Sequence, residues 1–408
     1  MMRIAYLHYL CGEDTALNHV QQFAAAVRAL GHEIAVHAMN LAGSVEGSAA
    51  SPATRLRATL KRHAGWLLHE PKELLWNALY VGKELRLLRS APPDALLVRD
   101  HLLTASCVPV ARRLGLPLVL EVNAPADESR LYMDEYLHLP WLPEWLEGWK
   151  LRRADAVTVV SSSLKDHLVR RYRVTPEKIA VVPNGADLEL FRPDYPADAV
   201  VRRADSSGPV IGFVGSFQKW HGTGLLASVL TTVAQVRPAA RFLLVGDGPE
   251  ASTLRHALAP LGDRVLFTGM VAHERIPGLV ASLDIGVLPE ADFYRCPLKV
   301  IEWMAAGKAV VAPRYAPLQD LMEDGVHGLL FPPRDGEALT QAVLRLVDDA
   351  VLRQALGAAA AARARTSLSW EHNARRVLAT CEAAVQRRQT PPIAARDQHA
   401  GHGGAIAV

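Results

Sequence analysis

Cysteine is scarce, four in 408 residues at 11, 107, 296 and 381, and no Cys-x-x-Cys pair occurs. That spacing argues against a zinc knuckle, a dithiol redox site or a disulfide framework, and fits reduced thiols in the cytoplasm. Aromatic residues make up only 6% of the chain, and net charge is close to balance at +3, so bulk charge gives no argument for nucleic acid as a partner. No apolar run reaches the ~20 uninterrupted residues a spanning helix needs, so no membrane crossing is expected. The opening MMRIAYLHYL runs straight into Cys11, Gly12, Glu13 and Asp14 without a small-residue cleavage site, and reads as a first strand rather than a signal peptide. Three motifs are also missing. There is no G-x-G-x-x-G for a nicotinamide cofactor, no G-x-x-x-x-G-K-[ST] for a P-loop, and no Asp-x-Asp pair to hold a catalytic cation.

What is present is alternation. Half of the residues are apolar, and runs rich in Val, Ile and Leu alternate with longer amphipathic stretches, the pattern of parallel sheets covered on both faces. In the first half RIAYLHYL, HEIAVHAM, ALLVR, LPLVLEV, AVTVVS and IAVVP read as strands, with Gly31 and Gly115 just past helices. The second half offers PVIGFVG, RFLLVG, VLFTG, DIGVLP, AVVAP and GLLFP, with a helix from about Leu225 to Gln235 among the intervening stretches. The predicted class is α/β, with two doubly wound domains in series at residues 1–192 and 209–368. A polar stretch at 193–208 reads as the linker, 369–390 as a last helix with Val377, Leu378 and Ala384 on its packing face, and 391–408 as a disordered tail.

Ligands of open parallel sheets bind at the carboxyl ends of strands, which directs attention to the loops there. Tyr294–Pro313 is the richest such segment. Pro297 suits a first helical position with Cys296 as the cap, and the helix that follows would offer free N–H groups and a positive dipole end to an anion. Lys299 adds a charge that can reach a diphosphate. Glu302, one turn on, can accept hydrogen bonds from the two hydroxyls of a ribose.

Here the sequence resembles glycosyltransferase family 4, from Met2 to about Arg376. RRADAVTVVSSSLKDHL and KIAVVPNGADLELFRP, the latter with Asn184, Gly185 and Asp187 in an NG-x-D turn, are followed by VIGFVGS, FLLVGDGPE, LFTGMV, LDIGVLP and IEWMAAGKAVVAP in the family's order. The resemblance implies a GT-B fold of two Rossmann-like domains facing a cleft, and retaining transfer from a nucleotide sugar to a hydroxyl acceptor. It implies no cofactor and no metal in the chemical step. Residue by residue, it places Glu302 on the ribose and Gly269 and Val271 beside the base. Tyr294 stands where the family often has a first glutamate. Ser216 stands at an arginine position and His221 at a lysine position, which makes Lys219 and Lys299 the expected phosphate contacts. Gly12, Gly215, Gly246, Arg295, Cys296, Pro297 and Leu298 complete the expected donor wall. Asn123 occupies the place of a histidine after the fourth strand, with Glu121 on the same strand face, and His101 is a second candidate of that kind.

The acceptor expected from this reading is a carbohydrate or lipid-linked molecule, as in cell-envelope or exopolysaccharide synthesis. Residues 55–90 interleave Arg and Lys with Trp66, Trp76 and Tyr80, a composition suited to an anionic membrane surface or to a helical insertion packed on the sheet. Trp141, Trp145 and Trp149 form a second aromatic cluster. The alternatives are a sugar-nucleotide epimerase of the same architecture and a noncatalytic partner subunit.

Overall fold

The computed structural model describes residues 1–10, 15–39, 69–131, 137–201 and 208–389. Each of the twelve apolar runs forms a strand, and the strands make two six-stranded parallel sheets. The first contains β1 (Arg3–His8), β2 (Glu33–Ala38), β3 (Ala95–Arg99), β4 (Leu118–Val122), β5 (Ala156–Val159) and β6 (Ile179–Val181), in the order β2-β1-β3-β4-β5-β6. The second contains β7 (Val210–Val214), β8 (Arg241–Val245), β9 (Val265–Gly269), β10 (Ile285–Val287), β11 (Ala309–Pro313) and β12 (Leu329–Phe331), in the order β12-β11-β10-β7-β8-β9.

Central strands such as β4 and β7 are buried at every position, which is why they carry continuous apolar sequence instead of alternation. Helices α1 (Thr15–Ala29), α2 (His69–Ser90), α3 (Cys107–Leu114), α4 (Ala126–Leu131), α5 (Trp141–Arg153) and α6 (Ser162–Tyr172) surround the first sheet. Around the second lie α7 (Thr223–Val236), α8 (Ala251–Leu258), α9 (Ile276–Ala281), α10 (Leu298–Ala305), α11 (Ala316–Leu321), α12 (Gly336–Asp348) and α13 (Ala350–Ser367). Strand order reverses between β1 and β3 in one sheet and between β7 and β10 in the other. At such a switch point neighbouring connections leave toward opposite faces and open a crevice.

The last helix, α14 (Trp370–Gln389), returns to the first lobe. Trp370, Ala374, Val377, Leu378, Cys381 and Ala384 join Ile4, Tyr6, Val20 and Phe23 in one buried cluster. The NG-x-D turn lies where this returning chain crosses. Ala186 N–H donates to the Leu368 carbonyl at 2.8 Å, and a Cβ on Gly185 would collide with the Trp370 backbone. Asp187 Oδ1 accepts from the N–H groups of Glu189 and Leu190 and closes the turn. Of the stretch read as a linker, Asp198 packs on the second lobe, donating its N–H to the Gly278 carbonyl and pairing with Arg275 at 2.9 Å. Cys11, Gly12, residues 55–68 and the tail from 391 lie outside the described residues.

Candidate active site

The β7/β10 switch point opens onto a cleft of about 1200 Å³ between the lobes. Asp127 and Glu128 of α4 face it from the first lobe, and Lys219, Trp220, Glu290, Asp292, Tyr294 and Tyr315 from the second.

The backbone after β7 is shaped by close approaches. Gly215 has φ 145°, and a Cβ there would stand 2.6 Å from Lys299 Nζ. Gly246, with φ 120°, abuts the Gly215 carbonyl, so a side chain at 246 would separate the two loops. Gly246 N–H donates to the Gly269 carbonyl at 3.1 Å, which links the loops after β7, β8 and β9 into one wall. Val271 follows on that wall and packs half-buried against the core.

Helix α10 begins one residue later than the sequence suggests. Pro297 is the cap, with extended φ/ψ of −77° and 103°, and Leu298 is the first helical residue. The N–H of Val300 returns to the Pro297 carbonyl at 3.0 Å, leaving those of Leu298 and Lys299 as the donors at the helix mouth. Leu298 packs against the buried cluster of the first lobe, so this helix end meets the opposite lobe.

Lys299 and Glu302 lie deep while each keeps a partly open face. Nζ of Lys299 sits 4.4 Å from the centroid of the Phe213 ring and 3.1 Å from His221 Nε2. Burial lowers the Lys299 ammonium to about 7, against the pull of Glu302 and Asp292. Burial likewise raises Glu302 to about 7, against the pull of Lys299. Two poorly solvated groups one helical turn apart are suited to an anion and to hydroxyl donors supplied by a ligand. Lys219 and Ser216 are both exposed, and Lys219 lines the cleft.

Cys296 corrects the sequence reading. It is not the cap: its thiol lies in the core, pushed up by burial to about 12, and its carbonyl accepts from Asn184 Nδ2 at 3.2 Å. Glu121 faces the interior. It accepts from Arg99 Nη1 at 2.5 Å, from Asn123 Nδ2 at 2.8 Å and from the Tyr6 hydroxyl, with His19 Nε2 at 3.2 Å. Asn123 is thereby tied to a structural hub at the end of β4. His101 Nδ1 stands 3.0 Å from the Leu102 carbonyl, and burial together with Lys150 lowers its pKa. Of these residues Lys219 and Tyr294 line the large cleft, whereas Asn123, His101, Lys299 and Glu302 are not on its lining.

Sequence reasoning missed the groups that join the lobes. Ser161 Oγ donates to the Tyr294 carbonyl at 2.6 Å, and Ser163 Oγ to the Phe293 carbonyl at 2.9 Å. Ser162 N–H donates to Asp320 Oδ2 at 2.7 Å. Arg295 pairs with Glu128 across the cleft at 3.3 Å, and the Tyr294 hydroxyl meets His167 Nδ1 at 3.1 Å. The segment leading into α10 is therefore held by the first lobe. The available signal was the Ser161–Ser163 run itself, placed at the carboxyl end of β5 where cleft residues belong.

A family profile described as Glycosyltransferase Family 4 matches residues 16–190, and one described as Glycosyl transferases group 1 matches 208–349. The chain is 30% identical over 293 residues to a 2-deoxystreptamine glucosyltransferase of Streptomyces kanamyceticus, covering 67% of this chain and 73% of that protein. It is 28% identical over 295 residues to a D-inositol 3-phosphate glycosyltransferase of Segniliparus rotundus, covering 69% and 64%. Among solved structures, Anabaena HepE in complex with UDP superposes with a TM-score of 0.71 at 19% identity, over 94% of this chain and all of that one. With both lobes matched and the GT-B architecture on both sides of the cleft, the chain belongs to glycosyltransferase family 4 and is a glycosyltransferase.

Proposed function

We propose that the chain transfers a sugar from a nucleoside-diphosphate sugar to a hydroxyl acceptor, with retention of anomeric configuration. The observation that carries this is the poorly solvated Lys299 at the mouth of α10, with Glu302 one turn behind it and Asp292 of the interlobe cleft near enough to act on its charge. In this reading the diphosphate takes the free N–H groups of α10 and the Lys299 ammonium, Lys219 approaches from the mouth, and Glu302 accepts from the ribose. HepE, of the same fold, was solved with UDP in place, which supports a nucleotide donor.

The chemistry needs little from a side-chain base. The anomeric C–O bond to the diphosphate breaks, the acceptor oxygen bonds to the same face of the sugar, and its proton passes to a departing phosphate oxygen. Stabilising the charge that gathers on the leaving diphosphate is then the main task, and preorganised N–H and ammonium donors perform it. No metal or cofactor is assigned to the step. The named relatives are transferases, which favours transfer over epimerisation or a noncatalytic role. A panel of UDP-, GDP- and ADP-sugars tests the proposal: release of the nucleoside diphosphate from at least one is expected, and no release from any by folded protein contradicts it.

A lipid-linked acceptor is the reading favoured on the acceptor side. On α2, Leu75 is 64% exposed, with Leu74 and Leu79 beside it, and on α5 Trp141 and Trp145 are 58% and 53% exposed. Glu70 of α2 accepts from the N–H groups of His138 and Leu139, in the segment leading into α5. Trp76 and Trp149 are partly buried instead, under Lys72 and Arg153, so only part of each aromatic series is free. Among the described residues no helix is long and apolar enough to cross a membrane, which leaves surface attachment. Co-flotation with vesicles containing anionic lipid, weakened by Trp141→Ala/Trp145→Ala, is expected; wild-type protein that stays in the aqueous fraction removes the membrane reading.

A further inference from the structure

We infer that His221 is a positioning residue for Lys299, a neutral imidazole that accepts the ammonium's hydrogen bond and aims it at the diphosphate, and is not itself a second cation on the phosphates. This rests on the function proposed for the same cleft.

The argument begins with tautomers. His221 Nδ1 faces the backbone carbonyl of Ser216, which can only accept, so Nδ1 carries the proton. Nε2 then presents a lone pair. Because Nε2 bears no proton, Lys299 Nζ, 3.1 Å away, is the donor in this contact whether the amine is charged or neutral, and the imidazole receives. The ring is fixed from a second side by Phe213, whose centroid lies 5.4 Å away in an edge-on arrangement. The same Phe213 ring and the bare Cα of Gly215 wall in the amine, leaving little room for another orientation.

Electrostatics agree with this geometry. Burial and the adjacent Lys299 lower His221 to about 4, so it is neutral throughout the neutral range. Charged groups that act on the amine are Glu302 on its own helix and Asp292 on the preceding loop; the remaining titratable neighbour is His221 on the turn before α7. Two cations 3.1 Å apart would repel, so a protonated His221 would push Lys299 away from the position it occupies. The residue standing where the family resemblance implies a lysine thus serves the other lysine.

A diphosphate arriving beside Lys299 favours the charged amine, so binding takes up a proton wherever the free amine is largely neutral. Calorimetry on the full chain with UDP, GDP and ADP, at pH 6.5 and 8.5 in two buffers of different ionisation enthalpy, reads this directly. At pH 8.5 the nucleotide's terminal phosphate, which ionises near pH 6, is already fully ionised, so uptake measured there does not come from it. For wild type, uptake approaching one proton is expected at pH 8.5 and less at pH 6.5. His221→Ala admits water beside Nζ, and is expected to weaken binding about tenfold or more and to reduce proton uptake at pH 8.5. His221→Gln keeps an acceptor oxygen and is expected to recover most of the affinity. An Ala variant with wild-type melting temperature, unchanged affinity and unchanged proton uptake overturns the inference. If the Ala variant does not fold, a Gln variant that binds no better than a misaimed amine allows, or wild type without uptake at pH 8.5, overturns it instead. Wild type that binds none of the three nucleotides contradicts the underlying functional reading, a distinct outcome.

Discussion

Lys299→Ala is expected to lower kcat about 10²-fold or more, with acceptor KM changed by no more than about threefold. The reason lies in where charge develops. As the anomeric bond breaks, negative charge gathers on the diphosphate oxygens, and an amine enclosed by Phe213, Gly215 and His221 meets that charge with little competing water. The acceptor reaches the same face of the sugar that the diphosphate leaves, but the amine acts on the diphosphate oxygens and not on the acceptor, so acceptor binding is expected to depend little on it. Steady-state kinetics with the donor identified by the panel check the split. Equal losses in kcat and in acceptor affinity would mean that the lysine maintains the cleft as a whole rather than acting on the leaving group.

The second large effect concerns stability. Glu121→Ala is expected to destabilise the first lobe by about 3–5 kcal/mol, because it leaves Arg99 buried beside an empty acceptor site. Tyr6, Asn123 and His19 lose a partner at the same time. Burial alone would push the Glu121 carboxyl up, but Arg99, then His19 and Asn123, outweigh it and hold the group well below the ordinary glutamate range. The sign follows from that depression. Glu121 contributes stability in full above the ordinary glutamate pKa, and the contribution declines as pH falls below it toward the depressed folded-state value. Chemical denaturation of both proteins at pH 7 and pH 3.5 measures this: the difference between them should shrink at the lower pH, and a difference below about 1 kcal/mol at pH 7 would contradict the role given to the hub.

Much of the fold was legible because parallel strands buried on both faces must be written as short continuous apolar runs. Runs such as ALLVR and AVVAP need no partner information to be recognised, and the left-handed Gly31 and Gly115, at φ 81° and 69°, punctuate them. The amino end of α10 was legible for a similar local reason, since Pro297, Lys299 and Glu302 lie within six consecutive residues. Side-chain direction was less so. Glu121 and Asn123 share a strand face, but local sequence does not reveal that Arg99, His19 and Tyr6 converge on that face from other elements. The cross-lobe contacts were hidden for the same reason: Ser161 and Tyr294 are 133 residues apart, and only the closed arrangement of the two sheets brings hydroxyl to carbonyl. A cap residue such as Ser161, which also accepts from Leu164 N–H, looks complete in its local role and gives no sign of the second.

Calorimetric titration of UDP, GDP and ADP into the wild-type chain and Lys299→Ala at pH 7 tests the central claim most directly. Binding of at least one nucleotide to wild type, weakened about tenfold or more in the variant, is the predicted result. Wild type without affinity for any of the three, or a folded variant that binds as tightly as wild type, would contradict the placement of a diphosphate at the mouth of α10.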